Sequence, residues 1–202
     1  VVAQWMKLSV IETVVEEDTE STIDQLEQNS DVGSTGEESE FDVEINKAHD
    51  QFFNLIFSLI ATGKYQEAFT QLDQSKDPMA QSIRALNLKG VLKVRLGDTR
   101  SAGVLFRKCI SLDSTYAGSW YNLGLMATLQ NKPHEALRNY DHSIRFRPDY
   151  ADAYYNKGVL LIKMEKWKRA EKMFKKVVSI DNSKKFAKAY YNLGLIAKKQ
   201  IG

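Results

Sequence analysis

A single cysteine, Cys109, rules out an internal disulfide framework and makes a cytoplasmic or other reducing intracellular compartment the expectation. The three histidines, His49, His134 and His142, have no Cys or carboxylate at metal-ligand or catalytic spacing. With them go a structural metal, a cofactor and catalytic machinery, and the chain is read as a non-enzyme. Three prolines and eleven glycines are too few to favour a sheet-rich fold. No run of about 18 apolar residues offers a transmembrane segment. The sequence GSTGEE at 33–38 lacks the Lys and the apolar helix that a phosphate loop needs. An initiating Met is also missing; Val1 implies a processed or cut fragment, with room upstream for organellar targeting.

Basic residues are absent from one stretch. Between Leu8 and Asn46 there are thirteen Asp and Glu and no Lys or Arg, whereas from Lys47 onward 27 Lys and Arg face 13 Asp and Glu. The formal net charge of +2 hides two regions that attract each other, or partners of opposite sign. Val1, Trp5, Leu8, Ile11 and Val15 share one face of a helix over 1–15, which is marginal alone and needs a surface to lie on. Residues 16–44 are acidic and poor in aromatics, and read as a flexible linker with at most one turn around Ile23 and Leu26. Its span of roughly 30 Å lets the helix dock on the rest of the chain, within one molecule or between two.

What the sequence does contain is a period. Residues 117–150 and 151–184 form two rows of thirty-four in which Trp120 and Tyr154, Gly124 and Gly158, Ala136 and Ala170, and Tyr140 and Phe174 coincide. Such a period marks a helix-turn-helix repeat that stacks on its copies. The register extends back to 83–116 and 49–82, and after a slip of two residues restarts at Ala187, giving a further first helix over 187–200. Residues 45–202 are therefore expected to form a helical solenoid, all-helical over 49–199 with nine helices in alternating pairs, and with Trp120, Tyr154 and Tyr190 buried at equivalent places. Gly90, Gly124, Gly158 and Gly194 fall where a second helix crosses closely, opposite the small Ala68, Ala102, Ala136 and Ala170. Gly63, Gly97 and Asn131 suit the left-handed residue that ends a helix, and Pro133 a first helical turn.

These residues resemble the tetratricopeptide repeat family, whose pattern W-x2-L-G-x2-Y, A-x3-F, P is met by Trp120, Leu123, Gly124, Ala136, Tyr140 and Pro148. Lys89 and Lys157 depart from it where Leu is usual. The resemblance implies an all-α right-handed superhelix of antiparallel helix pairs whose first helices line a concave groove for a peptide or partner helix. On the groove-facing positions stand Asn54, Asn122, Asn156 and Asn192, beside Asn87, Tyr121, Tyr155 and Tyr191, with Arg84 and Lys188 available to acidic side chains. The Asn row looks like the ladder by which some relatives grip an extended backbone, since an amide both donates and accepts. Packing between neighbouring first helices is the other reading of the same residues. A chaperone-tail clamp is disfavoured, because the ninth positions are Phe57, Val91, Leu125, Val159 and Leu195. The function implied is a protein-interaction scaffold, possible alternatives being a nucleic-acid-associated basic module or a regulatory arm of a larger enzyme.

Overall fold

The computed structural model describes residues 40–76, 78–180 and 187–201, all of them helical or in turns. The helix expected over 1–15 and the linker as far as residue 39 lie outside the described residues. Nine α-helices follow in order among those described: α1 Glu40–Ala61, α2 Tyr65–Gln74, α3 Ile83–Arg95, α4 Thr99–Leu112, α5 Ala117–Leu129, α6 Pro133–Phe146, α7 Ala151–Lys163, α8 Trp167–Ile180 and α9 Ala187–Ile201. A 3-10 turn, Pro78–Gln81, precedes α3. The first helix starts at Glu40, so residues 40–44, read above as linker, are helical. The chain divides into two compact units, 1–108 and 109–202, described separately below.

The turn between paired helices is the same hydrogen-bonded motif four times. Gly63, Gly97, Asn131 and Glu165 occupy one repeat position with φ of 74°, 83°, 56° and 57°. In each case this residue donates three positions back, and the next residue donates five back, as in Gly63 N–H to Ile60 O and Lys64 N–H to Leu59 O. That pair of bonds satisfies carbonyls the helix end would leave open, and it requires the left-handed conformation. Glycine adopts it freely; Glu165, which the sequence pattern did not single out, holds it against a Cβ clash of roughly 1–2 kcal/mol. Pro133 stands at the start of α6 as expected. At α4 the Ser101 side chain and N–H bond the Asp98 carboxylate, the backbone bond measuring 3.1 Å, and Lys93 lies 3.6 Å away. The Ser101 bonds, with help from Lys93, hold the Asp98 carboxyl below its ordinary range.

In the first unit α2 packs on α1 and α3. Phe53, Ile56, Phe57, Ile60, Leu72 and Leu92 meet in its core with Ala68 and Ala85. Such side chains each contribute about 1.5–3 kcal/mol on full burial. In the second unit α6 packs on α5 and α7, and α8 on α7 and α9. Here Tyr140 and Phe174 are wholly buried with Ala136 and Ala170.

Three of the four expected glycines mark close crossings, and the group they admit is the aromatic ring of the second helix, whereas Gly194 has no described atom within 4 Å. A Cβ on Gly90 would lie 2.5 Å from Phe106, on Gly124 2.6 Å from Tyr140 and on Gly158 2.9 Å from Phe174. Ala102, Ala136 and Ala170, one helical turn earlier, are fully buried. The Tyr140 hydroxyl shares a 3.0 Å hydrogen bond with Thr128, which fixes the far end of that ring.

The aromatic expected at the fourth position is not the buried one. Trp120 is half-buried: its ring stacks on His142 at 4.3 Å and its Nε1–H donates to Ser114 O at 2.8 Å. Tyr154 is likewise half-buried and Tyr190 is 50% exposed. The residue after Trp120, Tyr121, is the one fully enclosed. A step of one residue turns about 100° around a helix, enough to move a side chain from the edge of a helix pair into it.

Lys89 and Lys157 turn out to be buried ions with partners. Lys89 Nζ lies 3.2 Å from Asp73 on α2, and Lys157 bonds Asp141 on α6, so each reaches the second helix of the preceding repeat. The stems bury where Leu is usual, while the half-exposed carboxylates accept the charge.

Candidate functional site

In the first unit Arg84 is half-buried on α3, with its guanidinium over the Phe53 ring at 4.7 Å and the Phe57 ring at 5.9 Å. Packing of this kind places a partly buried cation at the second repeat position, with its Nε enclosed. Asn87, on the same helix, is buried, and Asn54 on α1 is exposed.

The second unit brings more of the expected residues together. Tyr121 is buried on α5, its ring 6.2 Å from that of Tyr140 and 4.9 Å from that of Tyr150. Tyr150 in turn lies under the Arg147 guanidinium at 3.3 Å. The Tyr121 hydroxyl accepts a hydrogen bond from Asn156 Nδ2 on α7 at 2.9 Å. Asn122 is 2% exposed. Tyr155 is half-buried with its ring edge-on to Phe174 at 5.7 Å. Tyr191 is 68% exposed, Asn192 half-buried and Lys188 exposed, all on α9.

The nine expected residues therefore divide. Asn87, Tyr121 and Asn122 are enclosed, and for Asn122, a member of the Asn row, burial is in keeping with the packing alternative. The rings of Tyr121 and Tyr155 face the aromatics of their own second helices. Asn156, Asn192 and Arg84 are half-buried, and Lys188 is exposed. The Asn156–Tyr121 bond was not readable from the sequence, although both residues were in view, because it joins position six of one repeat to position five of the repeat before.

Other chemistry is muted. Cys109 is buried, and the described residues hold no cluster of three His, Cys, Asp or Glu. Burial, with the Asp149 charge beside it, pushes the Tyr154 phenol above its ordinary value, so it is neutral at physiological pH. No described helix is long and apolar enough to cross a membrane.

Two family profiles, both described as tetratricopeptide repeat, match residues 139–172 and 83–116. The second coincides with one thirty-four-residue row, and the first begins within α6. The human protein named Protein O-mannosyl-transferase TMTC3 is 26% identical over 111 residues, which are 54% of this chain and 12% of that protein. The chain thus spans about an eighth of the length of that relative. Among solved structures, "Crystal structure of MamA" has a TM-score of 0.59 at 23% identity, covering 72% of this chain and 84% of that one. "Crystal structure of YrrB: a TPR protein with an unusual peptide-binding site" has a TM-score of 0.52 at 21% identity, covering 73% of each chain. At these identities the likeness is one of fold.

Proposed function

This chain is a tetratricopeptide repeat protein, and we propose that it is a scaffold that grips a peptide or helix of a partner protein through the sixth positions of its first helices. Protein interaction in general follows from the repeats. The finer reading rests on one observation, the hydrogen bond from Asn156 Nδ2 to the buried Tyr121 hydroxyl. It uses one amide N–H and fixes the side chain, while an amide has a second N–H and a carbonyl oxygen. That donor and acceptor pair is what an extended backbone needs, and holding it in place beforehand lowers the ordering cost of binding. Asn192 occupies the equivalent position on α9. Lys188, on α9 of the same unit, adds a cation at the second position, which suits acidic side chains on the ligand. The peptide-binding site in the printed title of YrrB is a property of that protein, and it accords with this reading.

Selection of phage-displayed peptides on the immobilised chain provides the test. Losing one ligand hydrogen bond costs about 0.5–1.5 kcal/mol, so Asn156→Ala with Asn192→Ala should weaken the selected peptides by about tenfold to a hundredfold and leave the helical circular dichroism unchanged. Peptides that bind the double variant as well as the parent would overturn the assignment.

A second reading follows from the match to a transferase of which the chain covers only 12%. On that reading the repeats are the arm by which a larger enzyme holds its substrate. The groove chemistry is the same.

A further inference from the structure

We propose that the exposed face of α8 binds residues 16–39 of the same chain, an acidic segment held by a cationic helix surface. This surface lies on a second helix and does not depend on the sixth-position amides of the first helices.

Six residues of α8 are exposed, and five of them are cations: Lys168, Arg169, Lys172, Lys175 and Lys176, with Ser179 the sixth. Spacings of three, four and seven residues put them on one side of the helix, while Ala170, Phe174 and Val177 are wholly buried on the other. Helix α6 builds the same core from Ala136 and Tyr140, yet its exposed residues include Glu135 and Asp141 beside Arg138 and Arg145. Packing therefore does not demand the charge on α8. Helix formation opposes it. Lys172 has a like charge four residues away on either side, in Lys168 and Lys176. Lys168 and Arg169 stand near the start of the helix, where the dipole disfavours cations and where α8 has no acid in its first turn. Helix α6 has Glu135 there. The one acid of α8, Glu171, is half-buried and 2.7 Å from Lys175, so it offsets a single charge of the five. No other described helix carries as many exposed cations: α4 has Arg100, Arg107 and Lys108, and α9 has Lys188, Lys198 and Lys199. A face that the core does not need and the helix resists is relieved by a polyanion.

The chemistry of the face narrows which polyanion fits. Its exposed residues include no aromatic ring on which the bases of a single strand stack, and no apolar side chain to enter a bilayer. Recognition rests on charge alone. Residues 16–39 match it with nine Asp and Glu, no Lys or Arg and no aromatic residue. Attachment to the same chain makes their docking an intramolecular event, with an effective concentration that a separate acidic protein has to outcompete. Docked there, the segment covers the five cations until a stronger polyanion displaces it.

Carbodiimide coupling of the full 202-residue chain, which joins a carboxylate to a lysine amine in direct contact with loss of water, tests the proposal by peptide mass mapping. In low salt, crosslinks from Asp and Glu of 16–39 are expected on Lys168, Lys172, Lys175 and Lys176, at least fivefold more often than on the exposed Lys132, Lys198 and Lys199. They should drop at least fivefold in about 0.5 M NaCl, where charges are screened over a few ångströms. An equal mixture of unlabelled and isotopically heavy chains should give crosslinks within one isotope only. Lys172→Glu with Lys176→Glu should remove the crosslinks to Lys168 and Lys175 and leave the helical circular dichroism unchanged, both positions being exposed. Crosslinks spread evenly over the exposed lysines, or unchanged in that variant, would overturn the proposal. Crosslinks of mixed isotope would overturn the same-chain assignment in favour of a second copy. Lysines of α8 that couple to no residue of 16–39, but are shielded from acetylation by a random RNA duplex or by phosphatidylserine vesicles, would overturn it in favour of that polyanion.

Discussion

Replacing each helical glycine with alanine separates the packing of the repeats from the intrinsic preference of a helix. Inside a helix Gly→Ala gains about 1 kcal/mol in propensity. At Gly124 the added Cβ lies 2.6 and 2.7 Å from two ring carbons of Tyr140, well inside the 3.5–4.0 Å of a favourable carbon contact. That ring cannot retreat easily, because it is wholly buried and its hydroxyl is held by Thr128. Overpacking of this kind costs about 1–3 kcal/mol, so Gly124→Ala should end between neutral and about 2 kcal/mol less stable. Gly158→Ala should be milder, since its nearest contact is 2.9 Å to the Cζ of Phe174, a ring without a hydroxyl anchor. Gly194→Ala should keep the whole gain. Urea unfolding followed by circular dichroism reads these differences as shifts in midpoint at constant slope. A Gly124→Ala chain as stable as the Gly194→Ala chain would refute the reasoning.

Asp141→Ala leaves the Lys157 ammonium buried without its carboxylate and should cost about 1 kcal/mol, the half-exposed Asp limiting the loss, whereas adding Lys157→Leu should restore stability in a double-mutant cycle, because burying Leu needs no partner. Glu165→Gly relieves a left-handed non-glycine residue and should raise the unfolding midpoint by the equivalent of about 1 kcal/mol. Tyr121→Phe removes the acceptor of Asn156 and should cost about 0.5–1.5 kcal/mol, with the Asn156 side-chain amide resonance shifting in NMR spectra. The Asp98 carboxyl, held low by Ser101, binds its proton less readily folded than unfolded, so its stabilising contribution is present above the ordinary carboxylate value and is lost as pH falls through the lower folded value. Hydrogen exchange at the start of α4 should accelerate across that acid range, and an Asp98→Asn chain should lack the change.

The helix pairs, their register and three of the four turns were legible in the sequence because a strict period repeats the same steric demands. Gly124 and Tyr140 occupy fixed rows, and a small residue facing a large one needs no coordinates to be noticed. What escaped depends on neighbours rather than on the repeat. Lys157 looked like a loss of a Leu because its partner, Asp141, stands sixteen residues earlier and faces it only once α6 and α7 have crossed. Glu165 hid because a charged residue in a turn attracts no suspicion unless its φ is known. The Asn row was visible, but burial separates Asn122 from Asn156, and burial is set by the adjoining helices. Trp120 misled because the bulkiest ring of a repeat is not necessarily its most enclosed; an indole N–H that must reach Ser114 O holds it at the edge.

The two buried ion pairs have a consequence for how a chain like this can lengthen or shorten. Lys89 and Lys157 are 68 residues apart, as are Asp73 and Asp141, while the positions between them hold Leu123 and Arg107. Chemically the chain repeats every second helix pair, although geometrically it repeats every one. Excising 117–150 would place Lys157 behind the repeat that carries Arg107, two like charges where a salt bridge had been. Excising 83–150 would instead bring Lys157 to Asp73 and leave the pairing whole. Loss of 117–150 alone is therefore penalised, whereas loss of 83–150 together keeps an ion pair whole.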